Sequence, residues 1–93
     1  MGDKKRVRLV IEGRVQGVWF RDSARRKAHE FGAYGWVKNR HDGAVEVLAE
    51  GENEAVDRLI DWCHNGPPHA IVRHVDVTQE EWRGEFDSFD IVF

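Results

Sequence analysis

Cysteine, proline and long apolar runs are scarce in this chain of 93 residues, which has one cysteine and two prolines. The lone Cys63 excludes an intrachain disulfide and favours a reducing compartment, so we expect a cytoplasmic location. The apolar run near the N-terminus comprises only residues 9–11, which is too short for a signal peptide or a membrane span. We therefore expect a soluble protein with no membrane partner.

An excess of charge of one sign is also lacking. The 14 basic and 17 acidic residues leave a formal net charge of −3. A protein that binds nucleic acid usually has an excess of basic residues, so this balance does not favour a nucleic-acid-binding surface. We therefore expect no nucleic-acid partner. The five histidines and the single cysteine do not follow the spacing of metal-ligand sets, so the sequence predicts neither a metal ion nor another cofactor.

The spacing of apolar residues predicts an alternating order of strands and helices. The predicted strands cover residues 7–12, 34–39, 45–49 and 71–78, and the predicted helices cover residues 22–31 and 51–63. Alternating Phe89, Ile91 and Phe93 indicate a possible short extra strand at the C-terminus. The order βαββαβ predicts an α+β, ferredoxin-like split βαβ sandwich, with an antiparallel sheet and both helices on one face. One domain over residues 1–93 and a monomer are expected.

A glycine-bearing segment, GRVQGVWFR at residues 13–21, joins the first predicted strand to the first predicted helix. We expect Gly13 and Gly17 to lie in the tight turn between them and Arg21 to stand where the helix begins. Backbone N–H groups at a helix N-terminus are unpaired and favour an anion, and a glycine-containing turn adds further N–H groups. The planar guanidinium of Arg21 suits a phosphate or a carboxylate. The segment therefore predicts an anion-binding site.

Two segments carry a resemblance to a known family. IEGRVQGVWFR at residues 11–21 resembles the first signature of the acylphosphatase family, and GWVKN at residues 35–39 resembles the second. Gly43, Val45 and Gly51 follow at matching intervals, and GPPHA at residues 66–70 resembles the C-terminal half of the family. Two long motifs in the right order, on a chain of the family's size, are a specific match that covers nearly the whole chain.

The resemblance implies hydrolysis of the carboxyl–phosphate bond of a small acyl phosphate, without a cofactor. It places Arg21 at the family's phosphate-binding arginine and Asn39 at the asparagine that orients the attacking water. The Trp19 position varies in the family, so its side chain receives no role. The residues whose backbone N–H groups are implied to hold the phosphate are Val15, Gln16, Gly17, Val18, Trp19 and Phe20.

Other functions remain open from the residues alone. A non-catalytic module of the same fold could bind phosphate or carbamoyl phosphate without turnover. An RNA-binding domain also uses this fold, but it needs exposed aromatics in a characteristic pattern that the first and third predicted strands lack. The alternative for Arg21 is a solvated arginine on a helix, and the alternative for Asn39 is a residue that favours the turn after it. The glycine-bearing turn and the motif positions favour a site for both.

Overall fold

The computed structural model describes residues 3–93, which form two helices and one sheet of five strands. The elements are β1 (Lys4–Arg14), α1 (Phe20–Phe31), β2 (Tyr34–Asn39), β3 (Val45–Glu52), α2 (Asn53–Cys63), β4 (Ile71–Glu80) and β5 (Phe89–Ile91). The strands lie in the order β4-β1-β3-β2-β5. This confirms the predicted α+β, ferredoxin-like fold. Neither helix in the described residues has the length and apolar character needed to cross a membrane.

The extra C-terminal strand is present, and its direction differs from that of its neighbours. β1, β3, β4 and β2 pair antiparallel, but β5 pairs parallel with β2 through Gly35–Phe89 and Val37–Ile91. The backbone N–H of Val92 continues this pairing by donating to the carbonyl of Val37 at 3.0 Å. The sheet is therefore mixed rather than wholly antiparallel. Because β5 runs in the same direction as β2, the chain end reaches the edge where β2 ends.

Two predicted element ends are wrong, both at a glycine. Gly13 lies inside β1 rather than in the turn, at an irregularity where the register with β4 shifts between Glu12 and Gly13. A Cβ at Gly13 would overlap the carbonyl oxygen of Ile71, so the close approach of β4 explains this glycine. Gly51 lies in β3, and α2 begins at Asn53. Backbone pairing with a neighbouring strand extends both strands past the residues that alternate in the sequence.

The core lies between one face of the sheet and the two helices. Val7, Leu9 and Ile11 of β1 alternate into it, each at most 2% exposed, and burying each such side chain contributes about 1.5–3 kcal/mol. Ala24 and Ala28 of α1 are fully buried, and these small side chains let α1 pack close to its neighbours. This packing holds the start of α1 at the edge of the sheet where β1 ends.

The opposite face of the sheet carries a group of paired charges, here called the arginine cluster: Arg6, Arg8, Glu46, Glu50, Glu80 and Glu85. Buried Glu50 accepts a hydrogen bond from Arg6 Nη1 at 2.9 Å and from the backbone N–H groups of residues 83–85 at 3.0–3.2 Å. These bonds hold the segment that crosses the sheet between β4 and β5. The cluster therefore helps to deliver β5 to its place beside β2.

Candidate active site

A cavity of about 360 Å³ lies where the turn after β1, the start of α1 and the ends of β2 and β5 meet. Its volume lies at the lower end of the range for small-molecule sites, roughly 300–1,000 Å³. The residues that line it come from all four of these segments: Val15, Gly17, Trp19, Phe20, Arg21, Asp22, Asn39, Ile91 and Phe93. The cavity therefore brings together Arg21 and Asn39, which are 18 positions apart in the chain.

The turn that leads into α1 presents a row of backbone N–H groups. Gly17 has φ 74° and Trp19, the N-cap of α1, has φ 68°, so the chain bends through two left-handed residues. Within residues 3–93, no protein acceptor is hydrogen-bonded to the backbone N–H groups of residues 16–21. No side chain caps the start of α1. These donors and the positive end of the helix dipole suit an anion bound in the cavity.

Arg21 is the second residue of α1, and its guanidinium is open to a ligand. Among the described residues, no carboxylate lies within salt-bridge distance of it, and the Phe93 ring centroid is 5.7 Å from its Cζ. Asp22 also lines the cavity, but its carboxylate pairs with Arg25 at 3.2 Å and with Arg26 at 3.1 Å. The acidic neighbour is thus neutralised by other arginines, and the five N–H donors of Arg21 remain available to an anion.

Asn39 ends β2 and pairs with Val45 of β3. Because β1 and β2 both run antiparallel to β3, they point the same way, and the ends of both strands lie at one edge of the sheet. The side-chain amide of Asn39 has no hydrogen-bond partner in the part of the chain that the structure describes. It is therefore free to bind a water molecule or a ligand, with one acceptor oxygen and two N–H donors.

The side chain of Gln16 makes two hydrogen bonds that the sequence did not predict. Its Nε2 donates to the carbonyl of Arg40 at 2.8 Å and to that of Ala44 at 2.9 Å. These carbonyls belong to the turn between β2 and β3, so Gln16 ties the loop after β1 to the hairpin that carries Asn39. Only the backbone of Gln16 was expected to matter, and no local pattern reveals a side-chain partner 24 or 28 positions away.

The hairpin is further held by its own charges. Asp42 accepts a hydrogen bond from the backbone N–H of Ala44 at 3.1 Å and pairs with Arg40 at 3.0 Å. These two contacts, with the backbone bond the larger, lower the pKa of the Asp42 carboxyl. The carboxylate therefore stays charged and keeps the turn closed beside Asn39.

The remaining predicted residues divide between the cavity and the core. Val15 and Phe20 line the cavity, and each is at most 2% exposed. Val18 is also buried, but it does not line the cavity. Cys63 is fully buried in α2, and burial raises the pKa of its thiol, which agrees with a structural role rather than a nucleophilic one.

Comparison with known proteins relates this arrangement to one family. A family model described as Acylphosphatase matches residues 7–91. A relative named acylphosphatase from Methylococcus capsulatus is 52% identical over 88 residues, which cover 95% of this chain and 96% of the relative. The crystal structure of acylphosphatase from Bacillus subtilis is similar, with a TM-score of 0.92 and 38% identity over 96% of this chain and 99% of that one.

A larger protein contains a similar fold. Full-length HypF, solved in a phosphate- and nucleotide-bound form, matches with a TM-score of 0.84 and 25% identity. The match covers 97% of this chain but only 12% of HypF. The same fold therefore also exists as a small part of a much longer chain.

Proposed function

This chain belongs to the acylphosphatase family, a family of enzymes, and we propose that it hydrolyses the carboxyl–phosphate bond of small acyl phosphates. The products are a carboxylate and inorganic phosphate. One observation carries the proposal: Arg21 and Asn39, both without a hydrogen-bonding partner among the described residues, line one cavity with the amide-bearing turn before α1. A phosphoryl group offers the acceptor oxygens that these donors lack.

We propose that the phosphoryl group is held by the backbone N–H groups of residues 15–20 and by the guanidinium of Arg21. The amides and the helix dipole are fixed before the substrate arrives, so they stabilise charge on the phosphoryl oxygens at little reorganisation cost. Arg21 adds a full positive charge and can bind two oxygens at once. The contact with Phe93 and the absence of a competing carboxylate among residues 3–93 support this role for Arg21.

In the proposed reaction, Asn39 orients a water molecule by accepting one of its protons in a hydrogen bond. The water oxygen forms a bond to phosphorus, and the bond between phosphorus and the bridging oxygen breaks. The electron pair of that bond leaves with the carboxylate, and the water proton passes to a phosphate oxygen. A carboxylate is a weakly basic leaving group, so no protein acid is required, and positioning and electrostatics supply the catalysis.

The competing function is a non-catalytic module that binds a phosphorylated or carbamoylated small molecule. The match to 12% of the much longer HypF chain shows that this fold also occurs as a module of a larger protein, which is the reason to test this alternative. A module of this kind would need the anion donors but not a water-orienting group. The open amide of Asn39 beside the donors therefore favours the enzyme over the module.

The test measures phosphate release from acetyl phosphate by the wild-type chain and by Asn39→Ala. Asn39→Ala is expected to lower kcat by about 100-fold, because a misplaced water loses the orientation that makes attack fast. Asn65→Ala is the matched control, since Asn65 is exposed after α2 and does not line the cavity. Phosphate release no faster than the buffer rate would favour the binding module, and wild-type kinetics in Asn39→Ala would remove Asn39 from the mechanism.

The monomeric state and the cytoplasmic location stay predictions. Sedimentation equilibrium of the purified chain measures its mass in solution, and cell fractionation with an antibody locates it. One chain has a mass of 10.8 kDa. A measured mass near twice this value would contradict the monomer.

A further inference from the structure

β5 is an edge strand of the described sheet, so its outer side has no strand beside it. On its inner side, the carbonyl of Ser88 accepts a hydrogen bond from the backbone N–H of Gly35 in β2 at 2.9 Å. Successive carbonyls of a strand point to opposite sides, so the carbonyl of Phe89 faces away from β2. A strand of three residues makes few backbone bonds, and contacts on its outer side therefore matter for holding it in place.

His29 of α1 makes such a contact. Its Nε2 lies 3.1 Å from the carbonyl oxygen of Phe89, whose side chain is fully buried in the core. A carbonyl oxygen can only accept, so Nε2 carries the proton and donates it in this bond. Within residues 3–93, no other side-chain hydrogen bond or ion pair joins α1 to β5. His29 is therefore the polar link between the helix that begins at the cavity and the strand that ends there.

α1 and the chain of β5 run in opposite directions and meet near both of their ends. At the end of α1, His29 contacts Phe89, and at its start the Phe93 ring centroid lies 5.7 Å from Arg21 Cζ. Arg21 and His29 are eight positions apart, which is about 12 Å along a helix. Phe89 and Phe93 are four positions apart, which is about 13 Å along an extended chain. Because the two lengths match, the contact at His29 sets where Phe93 arrives beside Arg21.

The Phe93 ring restrains the guanidinium that lies beside it. Arg21 has no carboxylate partner among the described residues, so no ion pair fixes the direction of its side chain. A cation is attracted to an aromatic ring at the distance observed between Arg21 and Phe93. A side chain that is already restrained loses less freedom when a ligand binds, and this strengthens binding.

We propose that His29 is a positioning residue: its hydrogen bond to β5 holds Phe93 against Arg21 and keeps the guanidinium oriented for the phosphoryl group. The inference rests on the proposed function, in which Arg21 binds that group. His29 does not line the cavity and acts from the far end of α1. The oriented guanidinium meets the bound substrate and the transition state alike, so the loss of His29 should raise KM and leave kcat unchanged.

The test measures kcat and KM for acetyl phosphate in wild type, His29→Ala and His64→Ala. His29→Ala is expected to raise KM about fivefold, the size of one hydrogen bond, with kcat near that of wild type. A purely structural role would reduce the folded fraction instead, so a lower apparent kcat at an unchanged KM would overturn the proposal. His64→Ala is the matched control, because His64 Nδ1 lies 3.0 Å from the carbonyl of Ile60 in α2 and His64 does not line the cavity.

Two conservative variants test the bond itself. His29→Gln can place an amide N–H where Nε2 lies, so its KM should stay within about twofold of wild type. His29→Asn is shorter by one methylene and should behave like His29→Ala. Both keep a polar side chain at this exposed position, so the comparison stands even if His29→Ala does not fold. Equal KM values in the Gln and Asn variants would show that the bond to Phe89 does not position the site.

A binding measurement separates this inference from the proposed function. Inorganic phosphate is titrated by calorimetry against wild type, His29→Ala, Phe93→Ala and the double variant. Each single variant is expected to weaken binding about fivefold, and the double variant no further, because His29 acts through Phe93. This result supports the positioning role even if no acyl phosphate is hydrolysed, which would overturn only the enzyme. Additive losses in the double variant, or wild-type affinity in His29→Ala, would overturn the inference and leave hydrolysis standing.

Discussion

Arg6 and Arg21 lie in opposite surroundings within the same small fold. Arg6 is 4% exposed, and its guanidinium contacts three carboxylates, those of Glu50, Glu80 and Glu85. Burial disfavours its charge, but the hydrogen bonds to these carboxylates outweigh burial and raise the pKa of Arg6. Arg21 lines a cavity, contacts the Phe93 ring and has no carboxylate partner in the described chain.

The difference separates an arginine paired within the chain from one that is open to a ligand. In the arginine cluster the Nε and Nη1 groups of Arg6 donate to carboxylates of the same chain, so they stabilise the fold. At the cavity the N–H donors of Arg21 meet no carboxylate of the described chain, because Asp22 pairs with Arg25 and Arg26 instead. Polar groups in proteins normally have hydrogen-bond partners, so unpaired donors at a surface cavity indicate that an external anion binds there.

The largest expected effect is on activity and tests the cavity side of this comparison. Arg21→Ala should lower kcat/KM for acetyl phosphate by about 1,000-fold. The variant loses the guanidinium, which is the main positive charge that faces the bound phosphoryl group. Its free energy of unfolding should stay within about 0.5 kcal/mol of wild type, since no ion pair is broken. Phosphate release and urea unfolding measure the two quantities. Arg58→Ala, which removes an exposed arginine of α2 that pairs with Glu54 away from the cavity, is the control. Near-normal turnover in Arg21→Ala would refute the proposed site.

The reciprocal effect tests the arginine cluster. Arg6→Met should lower the free energy of unfolding by about 3 kcal/mol, because buried Glu50 is left without its cationic partner. Turnover per folded molecule should change little at low temperature, since the cluster lies on the face of the sheet opposite the helices. Lys27→Ala, which removes an exposed pair with Glu30 at 3.5 Å, should cost at most about 0.5 kcal/mol. A loss in Arg6→Met no larger than in Lys27→Ala would show that the cluster is dispensable.

Gln16 tests whether the two sides of the cavity must be tied together. Gln16→Ala should lower kcat/KM by about tenfold, because the amide turn and the Asn39 hairpin lose their shared hydrogen bonds. Gln16→Glu should be worse, since a carboxylate cannot donate to two carbonyl oxygens and repels a bound anion. Both variants are assayed for phosphate release alongside circular dichroism of the fold. Unchanged kinetics in both would mean that strand pairing alone holds the cavity.

Acid should weaken the arginine cluster and with it the fold. Burial favours the neutral form of Glu50, but hydrogen bonds from Arg6 and three backbone N–H groups outweigh it and lower the pKa of this carboxyl. Hydrogen bonds from Arg6 and Arg8 likewise lower the pKa of Glu80. Groups with a lowered folded-state pKa stabilise the fold above their unfolded pKa, near 4.5, and this stabilisation is lost as pH falls through the folded value.

The measurement is the urea midpoint as a function of pH below about 5. Glu50→Gln removes one of these groups, so the acid slope of its unfolding free energy should be smaller than that of wild type. The change is bounded by about 1.4 kcal/mol per pH unit, the value for one proton. Parallel curves for the two proteins would show that Glu50 does not carry the acid dependence.

The smallest expected effect concerns the strain at the cavity. Trp19→Gly should raise the free energy of unfolding by about 0.5 kcal/mol, because relief of the left-handed strain exceeds the entropy cost of glycine. Thermal unfolding of wild type and of Trp19→Gly measures this difference. A destabilised Trp19→Gly would mean that the indole supports the fold, as Arg6 does, rather than the cavity.

Much of the fold was predictable because its signals are local. Residues 7–12 and 45–49 alternate with a period of about 2, and residues 22–31 repeat with a period of about 3.6. These periods give the order of strands and helices along the chain. Gly13 and Gly51 were placed wrongly because strand ends depend on pairing with a neighbouring strand, which no local window contains. The direction of β5 was likewise invisible, since it depends on which edge of the sheet the chain reaches after the segment held by Glu50.

By itself, the sequence determined the order of elements, the ferredoxin-like fold class and the amide-bearing turn before α1, since each rests on residue types at short spacing. Only the tertiary structure decided which arginine is paired and which is open, because Arg6 and Glu50 meet across β1 and β3 while Arg21 meets no acid of the described chain. It also decided that Gln16 reaches the β2–β3 turn and that β5 brings Phe93 to the cavity beside Arg21. Side-chain partnership depends on register and on the path of distant segments, and these arise only when the whole sheet is assembled.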